Sequence, residues 1–196
     1  MMHWVIVASG SMREGTRLAS VIGPGDMVIG VDGGADHCLR MGVVPAYVVG
    51  DLDSISQQGM TVLQDAGVTF RKFPPRKDFT DTELATDLAV ELGATRITYL
   101  AVTGSRLDHT LGNIGLLHKT LARGLSARIV DDRHEIHLVN ESLTLAGAPK
   151  DLLSIVPVSA QVHGLTLRGL EYPLKDASLI RGSTTGISNV FQGTEA

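Results

Sequence analysis

Residues 80–104 read TDTELATDLAVELGATRITYLAVTG, and this stretch holds both halves of a repeating unit. Its first half carries the marks of a helix. Thr80 and Glu83 have capping-box spacing, Leu84, Leu88 and Leu92 recur on one face, and Gly93 stands where a left-handed stop belongs. A few residues later ITYLAVTG at 97–104 is almost continuously apolar and β-branched, as a strand buried on both faces must be. A helix leading so closely into such a strand predicts a parallel α/β sheet.

The same signature extends outward. WVIVAS at 4–9, MVIGVD at 27–32 and YVVGD at 47–51 are further runs of this kind. A second helix is predicted over 106–123, with Leu107, Leu111, Ile114 and Leu121 on its buried face, Ser105 as cap and Gly124 as stop. Beyond Gly124 the texture changes: ARIVDD, EIHLVN, SLTLAG, LLSIVPVS, VHGLTLRG and ASLIRG are short strands at intervals of about 8–12 residues, the pattern of a sandwich or barrel. The expected architecture is an α/β lobe over 1–124 followed by an all-β, sandwich-like lobe over 125–196.

Composition narrows the function classes. A net charge of −4 and 4% aromatic content supply neither the basic footprint nor the stacking platforms of a nucleic-acid binder. Cys38 is the single cysteine, which excludes a disulfide framework and a Cys-x-x-Cys site and suits a reducing, cytoplasmic setting. The opening MMHWVIVASG lacks a basic n-region and has only about five apolar residues in a row, so neither a leader nor a membrane span is expected.

The polar residues gather at strand ends. GDLDS at 50–54 follows an apolar run; in an extended chain the spacing of two would put Asp51 and Asp53 on one side and Leu52 on the other, a clamp for a hard cation. With 14 aspartates in the chain, about one D-x-D is expected by chance, so the motif draws its weight from its neighbours. The four predicted strand ends carry SGSMREG, DGGAD, DLDS and GSRLDH, and open α/β sheets bind ligands outside the carboxyl ends of their strands. In VDGGAD, Asp32 closes a strand and Gly33 and Gly34 admit a close backbone approach; alternatively Asp32 caps the next helix. Neither a dinucleotide fingerprint nor a phosphate loop of the Walker type is present.

RKFPPRKDFTD at 71–81 sets Arg71, Lys72, Arg76 and Lys77 beside Asp78 and Asp81 in a loop held extended by two prolines. It reads either as a solvated charge run or as a place for a phosphate chain bridged to Mg2+, with lysine and arginine meeting the remaining charge. In TGSRLDH, Gly104 and Ser105 expose the first N–H groups of a helix, an anion site to which Arg106 adds a guanidinium. Asp108 is a capping acid paired with Ser105 or a member of the site, and His109 is an ordinary surface or core histidine or a substrate contact.

Four blocks in order, VDGGADHCLRMGVVPAYVVGDLDSI at 31–55, FPPRKDFTDTELA at 73–85, TGSRLDHTLGNI at 103–114 and GISN at 186–189, resemble bacterial thiamine pyrophosphokinase. The resemblance implies transfer of the diphosphoryl group of ATP to thiamine, giving thiamine diphosphate and AMP. It implies Asp51, Asp53 and one of Asp78 and Asp81 as Mg2+ ligands. Asp32, Gly33, Gly34, Arg106 and Asp108 are then the remaining contacts to ATP and thiamine; beside them Lys77, Gly104, Ser105 and His109 are candidate substrate contacts, and the chemistry makes Asp108 a candidate general base. Ser188 and Asn189 would approach thiamine held on the partner subunit of a homodimer. The family segment often reads S-N-E-W where this chain has SNVF, so Phe191 is the aromatic expected to stack on substrate. Two other readings compete: a D-x-D glycosyl or nucleotidyl transferase, which leaves KDFTD and SRLDH unexplained, and a non-catalytic thiamine or nucleotide binding module.

Overall fold

The computed structural model describes residues 2–13, 17–74 and 78–196. Two compact units are present, Met1–Leu138 and Val139–Ala196.

The first unit begins with β1 (His3–Val7), a 3-10 turn at Arg17–Val21, β2 (Met27–Val31), α1 (Gly34–Arg40) and β3 (Tyr47–Gly50). It continues through α2 (Gln57–Asp65), β4 (Thr69–Lys72), α3 (Asp81–Glu91), β5 (Arg96–Leu100), α4 (Leu107–Ala122), β6 (Ser126–Val130) and β7 (Glu135–His137). The seven strands form one sheet in the order β4-β3-β2-β1-β5-β6-β7. Every pairing is parallel except that of β7 with β6. All five residues of β1 are buried because both sheet faces are covered. Trp4, Ile6 and Ala8 pack with Leu88 of α3 and Leu117 of α4, while Val5 and Val7 pack with Leu18 of the 3-10 turn and Cys38 of α1. Cys38 is fully buried, and burial pushes its thiol pKa up to about 12.

The α3 helix starts as its sequence predicts: the Thr80 hydroxyl accepts the Glu83 N–H at 3.2 Å, and Gly93 adopts φ 87° after the last turn. The reciprocal arm differs, since the Glu83 carboxylate is drawn to the ammonium of Lys119 on α4. The α4 helix departs further. Its N-cap is Arg106, not Ser105, and its buried residues are Asn113, Leu116, Leu117 and Thr120. Leu107 and Leu111 are 67% and 59% exposed. Four leucine-type positions at helical spacing defined a face, but the alternative face at 113, 116, 117 and 120 has the same period and meets the sheet.

β4 and α2 escape the periodicity for physical reasons. β4 is an edge strand with three of its four residues exposed, and α2 buries only Gly59 and Leu63.

The second unit is all-β, as expected, and is built from small antiparallel pairs. β9 (Gln161–Leu167) pairs with β10 (Leu174–Ile180), and β8 (Leu152–Leu153) pairs with β11 (Asn189–Val190). Isolated bridges join Ala146 to Glu195 and Leu170 to Phe191. The compact units divide after Leu138, later than the expected boundary at Gly124, because ARIVDD and EIHLVN extend the large sheet as β6 and β7. A short β-branched run does not encode which sheet it joins.

Candidate active site

The sheet reverses direction at β1: the chain runs outward through β2, β3 and β4 on one side and through β5, β6 and β7 on the other. Ligands of open α/β sheets bind at such a switch point. Here the loops leaving β1 and β5 stay joined past the strands. The Gly10 N–H donates to the Ala101 carbonyl at 2.7 Å and the Ser11 N–H to the Thr103 carbonyl at 2.8 Å. A Cβ on Gly10 would collide with both carbonyls. The His37 ring on α1 meets the Gly10 carbonyl at 3.0 Å, anchoring the seam from below, and burial lowers the pKa of that imidazole. His37 and the seam carry no motif in the sequence; two glycine-containing strand ends were the sole trace.

To one side of the seam the acids converge. Asp32 leaves β2 with φ 47°, a left-handed conformation, and its Oδ1 accepts the Leu52 N–H at 3.3 Å. Gly50 is what makes room: it has φ 145°, and a Cβ there would run into the Asp32 carboxylate. Burial, then the charges of Asp81 and Asp51, push the Asp32 pKa up to about 6. Asp81, the first residue of α3, also lies within hydrogen-bonding reach of Asp32. Asp78 is exposed in the bend before α3.

GDLDS is not extended. β3 ends at Gly50, and Leu52 takes φ 70° while its side chain packs toward Ala35, Val48 and Leu63. The alternation assumed from a spacing of two therefore does not hold: Asp51 Oδ1 accepts the Asp53 N–H at 3.2 Å, and exposed Asp53 accepts the Ser54 hydroxyl at 2.8 Å. Gly34 serves the fold, since a Cβ there would meet the Val7 carbonyl of β1; at Gly33 it would lie 3.1 Å from the Ser54 carbonyl.

On the other side, beyond β5, the Arg106 guanidinium is held by Asp108 at 2.6 Å, both side chains about two-thirds exposed. That pairing raises the Arg106 pKa and holds the Asp108 carboxyl below its ordinary value. Asp108 therefore does not cap α4 with Ser105, and the Gly104 N–H is taken by the Thr110 hydroxyl at 3.2 Å. Ser105 and His109 are exposed. With strands about 4.8 Å apart, the ends of β2 and β5 stand roughly 10 Å from one another across β1. Lys77, expected to meet phosphate, lies outside the described residues.

In the second unit Ser188 has φ 57°, and its N–H donates to the Ser154 hydroxyl at 3.0 Å. Asn189 is 2% exposed and engaged: Oδ1 accepts the Tyr172 N–H at 2.9 Å and Nδ2 donates to the Tyr172 carbonyl at 2.7 Å. Phe191, expected to offer its ring to substrate, is buried against Gly147 and bridged to Leu170. The exposed aromatic of this unit is Tyr172, 62% accessible.

Among the described residues, no three His, Cys, Asp or Glu side chains form a group able to hold a metal ion by themselves. Mg2+ asks for less, commonly one or two carboxylates with water and substrate phosphate completing the shell. The hard oxygens around Asp32, which press on each other's charge, match that demand.

An open, almost wholly parallel sheet with left-handed turns and acids outside its strand ends, followed by a small all-β unit, marks an α/β protein of two units with a ligand-binding strand-end site. Family models narrow it: "Thiamin pyrophosphokinase, catalytic domain" matches residues 18–129 and "Thiamin pyrophosphokinase, vitamin B1 binding domain" matches 133–196. The thiamine pyrophosphokinase of Bacillus subtilis (strain 168) is 34% identical over 186 residues, covering 94% of this chain and 87% of that one. A crystal structure of thiamine pyrophosphokinase from Bacillus subtilis aligns with TM-score 0.89 at 32% identity, over 98% of this chain and 91% of that chain. One from Geobacillus thermodenitrificans aligns with TM-score 0.75 at 32% identity, over 99% and 90%. The chain belongs to the thiamine pyrophosphokinase family.

Proposed function

We propose that this enzyme transfers the diphosphoryl group of ATP to thiamine, and that Asp32, Asp51 and Asp81 form the centre of its phosphate-handling site. The observation that carries the site is the seating of the Asp32 carboxylate against Gly50 and the Leu52 N–H in the turn that bears Asp51, with the charges of Asp81 and Asp51 raising its pKa. Membership of the family disfavours the glycosyl transferase and the non-catalytic module.

The hydroxyl oxygen of thiamine attacks the β-phosphorus of ATP, its proton passes to solvent water, and the bond from that phosphorus to the α,β-bridging oxygen breaks, releasing AMP. Such transfer leaves little covalent work to the protein, so positioning and charge neutralisation dominate. When bound, Mg2+ supplies charge neutralisation on the phosphate oxygens; Asp51 and Asp81 would hold it, with Asp53 adding an oxygen from the same turn. Arg106, fixed by Asp108, meets the phosphate charge from the β5 side. Its partner arginine makes Asp108 a poor proton acceptor, so Asp108 orients Arg106 in preference to acting as base.

Asn189 contributes through Tyr172, whose backbone it clamps and whose exposed ring is available to cationic thiamine, while exposed Ser188 remains the direct contact of this segment. A homodimer fits the second unit: Leu152, Val156 and Ile180 are all more than half exposed, while only Leu170, Leu179 and Phe191 are buried among its large apolar side chains. Sedimentation velocity tests the dimer; a fully active monomer rejects it. A cytoplasmic setting rests on the lone buried thiol of Cys38.

Incubation with ATP, Mg2+ and thiamine, followed by product chromatography, tests the reaction. AMP with thiamine diphosphate supports it. ADP with thiamine monophosphate indicates a single phosphoryl transfer instead, and unconsumed nucleotide rejects catalysis.

A further inference from the structure

Asp36, on the first turn of α1, lies outside the converging acids and has no part in the chemistry above. Both of its oxygens are nevertheless committed to one residue across the fold. Oδ2 accepts the Ser56 N–H at 2.8 Å and Oδ1 accepts the Ser56 hydroxyl at 2.8 Å. Ser56 is the N-cap of α2, and its oxygen in turn accepts the Gly59 N–H at 3.0 Å. The turn carrying Asp51 and Asp53 is thus tied twice. At its front the Leu52 N–H reaches Asp32, and at its rear Ser56 is held on both arms by Asp36.

Gly59 gives this clamp an independent mark. A glycine inside a helix is normally a liability relative to alanine. Here a Cβ at 59 would overlap Asp36 Oδ1 and come within 2.9 Å of the Ser56 hydroxyl oxygen. The helix gives up a better helix former and keeps the space that the Asp36 carboxylate fills.

We infer that Asp36 is a positioning residue: with Ser56 and Gly59 it fixes the turn that presents Asp51 and Asp53 to the metal–nucleotide substrate. The inference rests on the site proposed above for those acids. Leu52 is left-handed at the front tie itself, so freeing the rear tie lets residues 53–55 relax, moving Asp53 directly and Asp51 through the bond its Oδ1 accepts from the Asp53 N–H. Partners behind metal ligands matter to about 10-fold to 100-fold in affinity or activity.

Gly59→Ala is the cleanest variant, because it keeps both bonding partners, Asp36 and Ser56, and only crowds the ends of their short side chains. Asp36→Ala removes both acceptors, and Asp36→Asn restores one. Two readouts are taken on the whole protein. The first is hydrogen–deuterium exchange of the ligand-free protein over residues 51–60; the second is binding of Mn2+ with α,β-methylene ATP, followed by the Mn2+ paramagnetic signal. Gly59→Ala and Asp36→Ala are expected to lose protection at Ser56 and to bind Mn2+ with the analogue about 10-fold to 100-fold more weakly. Asp36→Asn should recover part of both. Turnover falls in step while the KM for thiamine moves less than about twofold, since the role assigned to this turn is toward the metal–nucleotide and not toward thiamine.

Unchanged protection in Gly59→Ala and Asp36→Ala overturns the clamp. Lost protection with undiminished affinity overturns its positioning role. Asp51→Asn separates the deeper failure. If it binds Mn2+ with the analogue as the parent does, the acid site itself is wrong and the inference goes with it; if it binds weakly while the clamp variants do not, the inference alone is wrong.

Discussion

The two flanks of the β1 switch point are built on opposite principles. On the β2–β3 flank the acids are over-determined: left-handed backbone at Asp32 and Leu52, a glycine kept open for a carboxylate, and a hydrogen bond from Leu52 hold charges near one another at a cost. On the β5 flank, Arg106 and Asp108 are exposed and restrained mainly by each other. The contrast suits the roles proposed above: anions that hold a dication need assembly in advance, whereas a guanidinium meeting phosphate can adjust as substrate arrives.

This contrast can be broken by experiment. The largest effect is expected from Asp51→Asn and Asp81→Asn, each lowering kcat/KM by at least about 100-fold without lowering the thermal midpoint by more than about 2 °C. Steady-state kinetics beside differential scanning fluorimetry checks both. If either variant unfolds while activity per folded molecule survives, the acid flank is structural.

Gly50→Ala should come next. The new methyl collides with Asp32 and the backbone is strained, so a loss of about 1–3 kcal/mol in urea unfolding is expected together with a drop in turnover. Unaltered stability would mean that the carboxylate moves aside freely, against the over-determined picture. Arg106→Ala is expected to reduce kcat/KM about 10-fold to 100-fold without measurable change in stability, and Asp108→Asn by less, because the pair is solvent-exposed. A drop in thermal midpoint for either would erase the distinction between the flanks.

The smallest effect has an informative sign. Asp32 has a folded pKa of about 6 against an ordinary 3.8, so the native state holds that proton more tightly than the unfolded chain. The associated stability is present below about pH 4 and is lost as pH rises through about 6. Asp32→Asn, neutral at every pH, should therefore be more stable than the parent above pH 7, by about 1 kcal/mol or 2–4 °C after screening, while losing activity. At pH 4 the two should coincide. A less stable variant at pH 8 would show that the Asp32 charge is compensated within the fold.

What the sequence made legible follows the same division. β1, β2, β3 and β5 are near-continuous apolar runs, and α3 carries its own start and stop, so the sheet and its strand-end loops could be placed from local pattern alone. The acids of the proposed site are legible as a list for the same reason. Their arrangement is not, because Leu52 turns left-handed only when packed against Ala35 and Leu63, a long-range contact. The choice between Asp78 and Asp81 likewise depends on where α3 docks. On α4 the period alone does not separate exposed Leu107 and Leu111 from Ile114, which packs on the core beside Leu116 and Leu117, and a motif does not reveal that Asn189 and Phe191 are buried.

Cys38 has a practical consequence. As the single cysteine of the chain, enclosed at the centre of α1 and with its thiol pKa pushed up to about 12, it is inert toward thiol reagents in the native protein. A cysteine introduced at exposed Leu107, one residue from Arg106, could be labelled selectively without first removing a native one. A fluorophore there would report on the adaptable flank while the buried thiol, becoming reactive only on unfolding, counts the intact molecules in the same tube.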